Sequence, residues 1–160
     1  MTKLSEHEKF LEMAIKLAAK SAKSGKGGPF GAVIVKDGKV LAKAHNTVTS
    51  STDPTAHAEV NAIRKACKKL KDFQLKGCTI YASAEPCPMC LGAIYWARPK
   101  AIFYAAEKNI AARAGFDDSF IYKEIALPQN KRKIKTHHLP LKDASLPFKT
   151  WVSKKDKVKY

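Results

Sequence analysis

A chain of 160 residues, 45% of them hydrophobic, is long enough for one domain that buries about 70% of the surface its unfolded form exposes, without covalent staples. Four cysteines at this length do not resemble a secreted disulfide framework, no stretch approaches the roughly eighteen apolar residues of a membrane span, and Glu6, Glu8 and Glu12 stand where a leader would be apolar; a cytoplasmic protein with no membrane partner is expected. The net charge of +16 invites a polyanion reading, but half of it lies between Asn130 and Tyr160, and Arg64, Arg98, Arg113 and Arg132 are the only arginines among 30 basic residues, so a solvated lysine surface is expected rather than a nucleic-acid partner.

Ser5-Glu6-His7-Glu8 has the form of a capping box, and Phe10, Leu11, Ala14, Leu17, Ala18 and Ala22 recur at helical spacing up to Gly25. This predicts a first amphipathic helix. Phe30 to Val35 and Val40 to Ala44 flank Lys36-Asp37-Gly38-Lys39, where Asp-Gly supplies the positive dihedrals of a tight hairpin between antiparallel strands. Asp53-Pro54 reads as an N-cap plus first helical residue, which puts His57 in the opening turn of a helix running to about Leu70. A strand over Cys78 to Ser83, a helix over Pro88 to Ala97 and a strand over Ala101 to Ala105 follow. Strand, helix and strand in one direction imply a right-handed crossover and parallel strands covered on both faces. The predicted fold class is therefore α/β, a three-layer α/β/α sandwich with a mixed central sheet. Ligand sites in such sheets gather at the carboxyl ends of strands, where Cys87 falls. Internal repeats and low-complexity tracts are absent.

Two segments carry chemistry, Thr55-Ala56-His57-Ala58-Glu59-Val60 and Glu85-Pro86-Cys87-Pro88-Met89-Cys90. His-x-Glu followed by Pro-Cys-x-x-Cys is the signature of the zinc nucleobase deaminases. A catalytic zinc takes three protein ligands and keeps a fourth position for water, so His57, Cys87 and Cys90 are the expected ligands of one zinc ion per chain. Cysteines three apart share one face of a helical turn, Pro88 suits its first position, and the positive end of the helix favours thiolates. Glu59 lies two residues past His57 and points to another side, which makes it a proton carrier rather than a ligand. Zinc can bring the pKa of water from about 15.7 to about 7, roughly 12 kcal/mol at 1.36 per unit. Glu59 can then take a proton from that water and pass it to a ring nitrogen as hydroxide attacks the adjacent amino-bearing carbon. Ammonia leaves and a carbonyl remains. Two blander readings compete. A closed structural zinc site would recruit Cys67 or Cys78, although both look like small core residues. A redox Cys-x-x-Cys leaves the upstream His-x-Glu unexplained.

Beyond these motifs, Gly28-Pro29-Phe30-Gly31-Ala32-Val33-Ile34-Val35, Cys90-Leu91-Gly92-Ala93-Ile94-Tyr95-Trp96-Ala97-Arg98-Pro99 and Ala114-Gly115-Phe116-Asp117-Asp118-Ser119-Phe120-Ile121-Tyr122 carry a resemblance over nearly the whole chain. The sequence resembles bacterial-type guanine deaminases, within the cytidine/deoxycytidylate deaminase superfamily. The Gly-Phe-Asp-Asp-Ser-Phe segment resembles that family rather than tRNA adenosine deaminases. The resemblance implies hydrolysis of guanine, a small nucleobase substrate, to xanthine and ammonia by a single zinc-dependent domain. It also implies a homodimer that exchanges its C-terminal segments (about 130–160), with Tyr160 closing the partner's pocket. Asp118 would be a second proton carrier near the leaving amine. Asn46 would read the base edge through an amide able to donate and accept, Phe30 and Trp96 would wall the ring, and Ala58 would join them in the substrate pocket. Other readings of these residues stay open: Phe30 and Trp96 as core aromatics, Asp118 as a helix cap, Asn46 as a turn residue and Tyr160 as a frayed terminus. So do guanosine, cytosine, ammeline or a tRNA adenosine as substrate. Ala84, where the family favours a polar residue or cysteine, and the lysine-rich C-terminal third are departures from the pattern.

Overall fold

The computed structural model describes residues 5–160, and Ser5 opens it as the N-cap of α1 (Glu6–Ser24). The Glu8 N–H donates to Ser5 Oγ at 3.2 Å, while the Ser5 N–H donates to Glu8 Oε2 at 2.6 Å. That reciprocal box stabilises a helix start by about 1 kcal/mol, and Gly25, at φ 64°, ends the helix in the left-handed conformation that glycine tolerates.

Strands β1 (Gly31–Lys36) and β2 (Lys39–His45) form the expected hairpin, with Asp37 at φ 49° and Gly38 at φ 71° supplying the turn. β3 (Cys78–Ala84) pairs antiparallel with β1 and parallel with β4 (Ala101–Ala106), giving a mixed sheet in the order β2-β1-β3-β4. Between β3 and β4 runs α4 (Pro88–Ala97), the crossover that lets those two strands point the same way. β1 is buried along its length up to Lys36 because helices cover both its faces. On one face Val33, Val35 and Tyr81 meet Ala14, Phe10 and Leu11 of α1. On the other, Ala32, Ile34 and Ile80 meet Ala58, Ala62 and Ala66 of α3 (Ala58–Leu70), together with Ile94 and Ala97 of α4. The three-layer α/β/α sandwich is thus realised. Full burial of Ile34 and of Ile80 contributes about 1.5–3 kcal/mol each. Gly31 lets α1 approach closely, since a methyl group there would overlap the Ala14 carbonyl and the backbone of Ala18. The edge strand β2 is shielded as well. Its Lys43 and Leu41 carbonyls accept from Lys65 and Lys69 Nζ of α3 at 3.3 and 3.4 Å.

The helix carrying the His57 motif begins later than expected. Asp53-Pro54 does not cap it; the Asp53 carboxylate instead accepts the Thr55 N–H at 2.8 Å and its hydroxyl at 2.7 Å, closing a turn. Helix α3 starts four residues after Pro54, with His57 itself as N-cap in extended conformation. A short α2 (Val48–Ser51), too brief to leave a periodic signal, precedes that turn. After β4 comes α5 (Lys108–Arg113).

The chain divides into two compact units, one ending at Ser119 and one spanning Phe120–Tyr160. The second holds α6 (Ser119–Ala126) from Phe120 onward, a 3-10 turn at Gln129–Lys131, and α7 (Leu146–Ser153). Within it the Arg132 guanidinium donates to the Leu127 and Ile125 carbonyls at 3.0 and 3.1 Å, satisfying the exposed end of α6. No residue of this unit is buried, and Ile134, Leu141, Phe148 and Val152 are each at least 70% exposed. Among the described residues no helix is long and apolar enough to cross a membrane.

Candidate active site

Two helix starts build the site, and each is capped by a residue of the sequence signature. His57 caps α3 and Cys87 caps α4, both with extended backbones. The Cys87 sulfur accepts from Cys90 in the first turn of its own helix and also faces the His57 ring. Pro88 fills the first position of α4, where a missing N–H is harmless, and Cys90 follows in the same turn, fully buried. The ligand atoms of His57, Cys87 and Cys90 lie within 4.8 Å of one another. Sγ of Cys87 stands 3.6 Å from His57 Nδ1, and Sγ of Cys90 stands 3.4 Å from the same nitrogen. A tetrahedral ion about 2.0–2.1 Å from an imidazole nitrogen and about 2.3 Å from a thiolate holds the two roughly 3.6 Å apart. The three donors therefore fit a zinc-sized ion bound through Nδ1. Cys67 and Cys78 belong to the core around α3 and β3, and among the described residues the only such cluster is His57, Cys87 and Cys90.

Charge at the site is organised before any ion arrives. Cys87 is pushed down to about 4 by the hydrogen bond it takes from the Cys90 thiol and by His57, against the effect of burial. The Cys90 thiol is held well above its usual range by the same hydrogen bond and by burial. His57 is raised by its hydrogen bond to Cys87. Glu59, only 6% exposed at the second position of α3, is raised chiefly by burial, and its carboxyl meets the Cys90 thiol.

The other residues singled out by sequence fall at varied distances from this centre. Asp118 lies close enough to Cys87 to be raised by its charge, after burial as the main cause. The neighbouring Asp117 takes the capping bonds, accepting the Ser119 N–H at 2.9 Å and its hydroxyl at 3.0 Å. Asn46 is buried just after β2. Its Oδ1 accepts the Gly28 and Val48 N–H groups, both at 3.1 Å, so both lone pairs are in use within the fold and the NH2 group is the part left to donate. Ala58 is fully buried at the first position of α3, where a helix leaves its N–H without an internal acceptor. Phe30 packs on the core and meets Phe116 edge-on, with centroids 5.0 Å apart at 89°. Trp96 lies 65% exposed in the last turns of α4. Tyr160 belongs to the second unit and is 71% exposed.

Residues 4–106 match the family described as the cytidine and deoxycytidylate deaminase zinc-binding region. The chain belongs to the cytidine and deoxycytidylate deaminase family. Within that deaminase family it is 59% identical over 154 residues to the guanine deaminase of Bacillus subtilis (strain 168), covering 96% of this chain and 99% of that one. The X-ray structure of guanine deaminase from Bacillus subtilis matches with a TM-score of 0.95, covering 96% of this chain and 98% of that chain. The tRNA-specific adenosine deaminase of Aquifex aeolicus (strain VF5) is 37% identical over 139 residues, 86% of this chain and 88% of its own.

Two residues of this deaminase escaped the reading of motifs. Phe116 lies inside a segment already marked, but an aromatic in a loop gives no clue to its partner ring. Asn61 sits one turn into α3, where sequence alone reads only a polar residue on a helix, and its contacts appear only once the loops are folded.

Proposed function

We infer that this protein hydrolyses guanine to xanthine and ammonia. One observation carries the reading: the likeness to Bacillus subtilis guanine deaminase runs through 96% of the chain, well beyond the zinc-binding region that ends at residue 106. His57, Cys87 and Cys90 would hold one zinc ion per chain, which when bound supplies a Lewis acid that lowers the pKa of a water toward about 7. Glu59 takes the proton that this water gives up and passes it to the ring nitrogen beside the amino-bearing carbon, as a new carbon–oxygen bond forms there. Asp118 carries the second proton to the amine as the carbon–nitrogen bond breaks. Ammonia departs and the carbonyl of xanthine remains. Both carboxyls are raised, chiefly by loss of solvent around them, which supports these roles because it favours the protonated form that each takes up in turn.

The base is held by donors and rings. Asn46 presents its NH2 group to an acceptor on the purine, the Ala58 N–H presents a second donor, and Phe30, Trp96 and Tyr160 enclose the ring. Two copies of the chain form a homodimer in which the segment from about 130 to 160 is exchanged and Tyr160 closes the partner's pocket. The bare second unit supports this, since its exposed Ile134, Phe148 and Val152 call for an apolar cover that a second copy can supply. Four unpaired cysteines suit a reducing cytoplasm.

A panel of guanine, guanosine, cytosine, ammeline and tRNA, assayed for ammonia on metal-analysed protein, tests the reading. Xanthine from guanine at one zinc per chain is the expected result. Turnover of another substrate with guanine untouched would overturn it.

A further inference from the structure

Asn46 can read a base only from where its loop holds it. Its Oδ1 is fixed by the Gly28 and Val48 N–H groups, so its NH2 group moves only as residues 45–47 move. That loop is gripped from two sides. From α1, Ser21 Oγ donates to the Asn46 carbonyl at 3.2 Å, and Gly27 lies so close that a methyl there would overlap the same carbonyl. From α3, Asn61 Nδ2 reaches the His45 carbonyl at 3.1 Å, Thr47 Oγ1 at 3.0 Å and the Ala56 carbonyl at 3.2 Å. Two of those three atoms are carbonyl oxygens that can only accept, which settles that the nitrogen of the amide faces them. His45 and Thr47 flank Asn46, whereas Ala56 precedes the metal-ligand candidate His57. Asn61 is itself rooted at the site, its N–H bonded to the His57 carbonyl at 2.9 Å, and the Thr47 N–H bonds the Ala56 carbonyl at 3.0 Å beside it. One side chain therefore ties the loop that reads the base to the loop that delivers His57 and Glu59.

We propose that Asn61 is a positioning residue that sets the distance between Asn46 and the hydrolytic centre, and through it the grip on the purine. This rests on the reading of Asn46 as the base-recognition residue. Asn61 touches no substrate; it acts through the loop. In Asn61→Ala, zinc content stays at one per chain, and the amides of Asn46 and Thr47 exchange hydrogen about tenfold faster, the order of losing one to two hydrogen bonds. KM for guanine rises about tenfold while kcat stays within about threefold. Asn46→Ala combined with Asn61→Ala is no worse than Asn46→Ala alone, because a residue acting through Asn46 has nothing left to position. Unchanged exchange at Asn46 and Thr47, a fall confined to kcat, or fully additive losses would each overturn the proposal. If Asn61→Ala does not fold, Asn61→Ser, which keeps a shorter donor, takes its place in the same measurements. Should the unaltered protein fail to convert guanine, the proposed function falls, while the exchange measurement still decides whether Asn61 clamps the loop.

Discussion

Replacing Glu59 by Gln separates the chemistry of the site from its architecture. The two side chains have nearly the same shape, and Glu59 is 6% exposed with its carboxyl against the Cys90 thiol, so the change opens no cavity and leaves the ligands where they are. It removes the carboxyl proposed to take a proton from water and give it up again. General acid–base catalysis of this kind accounts for about 10²–10⁴ in rate, or roughly 3–5 kcal/mol of barrier at 1.36 per tenfold. Xanthine formation at saturating guanine should therefore fall by that factor. Zinc measured by elemental analysis should remain at one per chain. Thermal stability should hold or rise, because a carboxyl that burial disfavours is replaced by a neutral amide. A variant that keeps its activity, or one that loses its zinc, would refute the assignment of Glu59 as proton carrier and leave it as a ligand or a structural residue.

Zinc binding should strengthen as pH rises. Cys90 is held above the usual thiol range, so it carries a proton that an ion must displace, and the raised His57 adds to that release as pH falls, whereas Cys87 is pushed down to about 4. Calorimetry in two buffers of different ionisation heat should detect at least one proton released per zinc near neutral pH, and affinity independent of pH between about 6 and 8 would contradict the picture. Tyr160→Ala should lower kcat/KM for guanine about tenfold with zinc content intact, if the final ring closes a partner's pocket. Sedimentation of the unaltered protein should give a dimer, and a monomer with full activity would remove that role. Ile34→Ala, in the fully buried centre of β1, should destabilise the fold by about 2–5 kcal/mol in denaturant titration, through the cavity it opens against α3 and α4.

How far local chemistry reaches can be judged element by element. Both ends of α1 were readable, because Ser5 and Glu8 satisfy one another and Gly25 adopts a conformation other residues avoid. The limits of α4 were readable for a similar reason, with Pro88 suited to its first position and a buried stripe through Cys90, Ile94 and Ala97. Asp53-Pro54 misled, because an aspartate before proline can close a turn as readily as it can start a helix. The choice fell to the turn once Thr55 offered its N–H and hydroxyl together. The hairpin and the parallel crossover were readable, but not that the two join through β1 and β3. β1 sits between β2 and β3 because pairing on both edges and cover on both faces bury Val33 and Ile34 together, a gain that no window of neighbouring residues registers.

From the order of residues alone followed the His57, Cys87 and Cys90 cluster that could hold a metal, the carboxyl two places from the histidine, and the layered fold. Each depends on spacing along the chain and on the chemistry of single side chains. Tertiary structure alone decided that Nδ1 of His57 faces both sulfurs, that Asn46 Oδ1 is taken by Gly28 and Val48, and that Asn61 reaches the carbonyls of both His45 and Ala56. Those are facts about which lone pair meets which hydrogen across tens of residues, and they exist only when distant backbone segments have been brought within about 3 Å of each other.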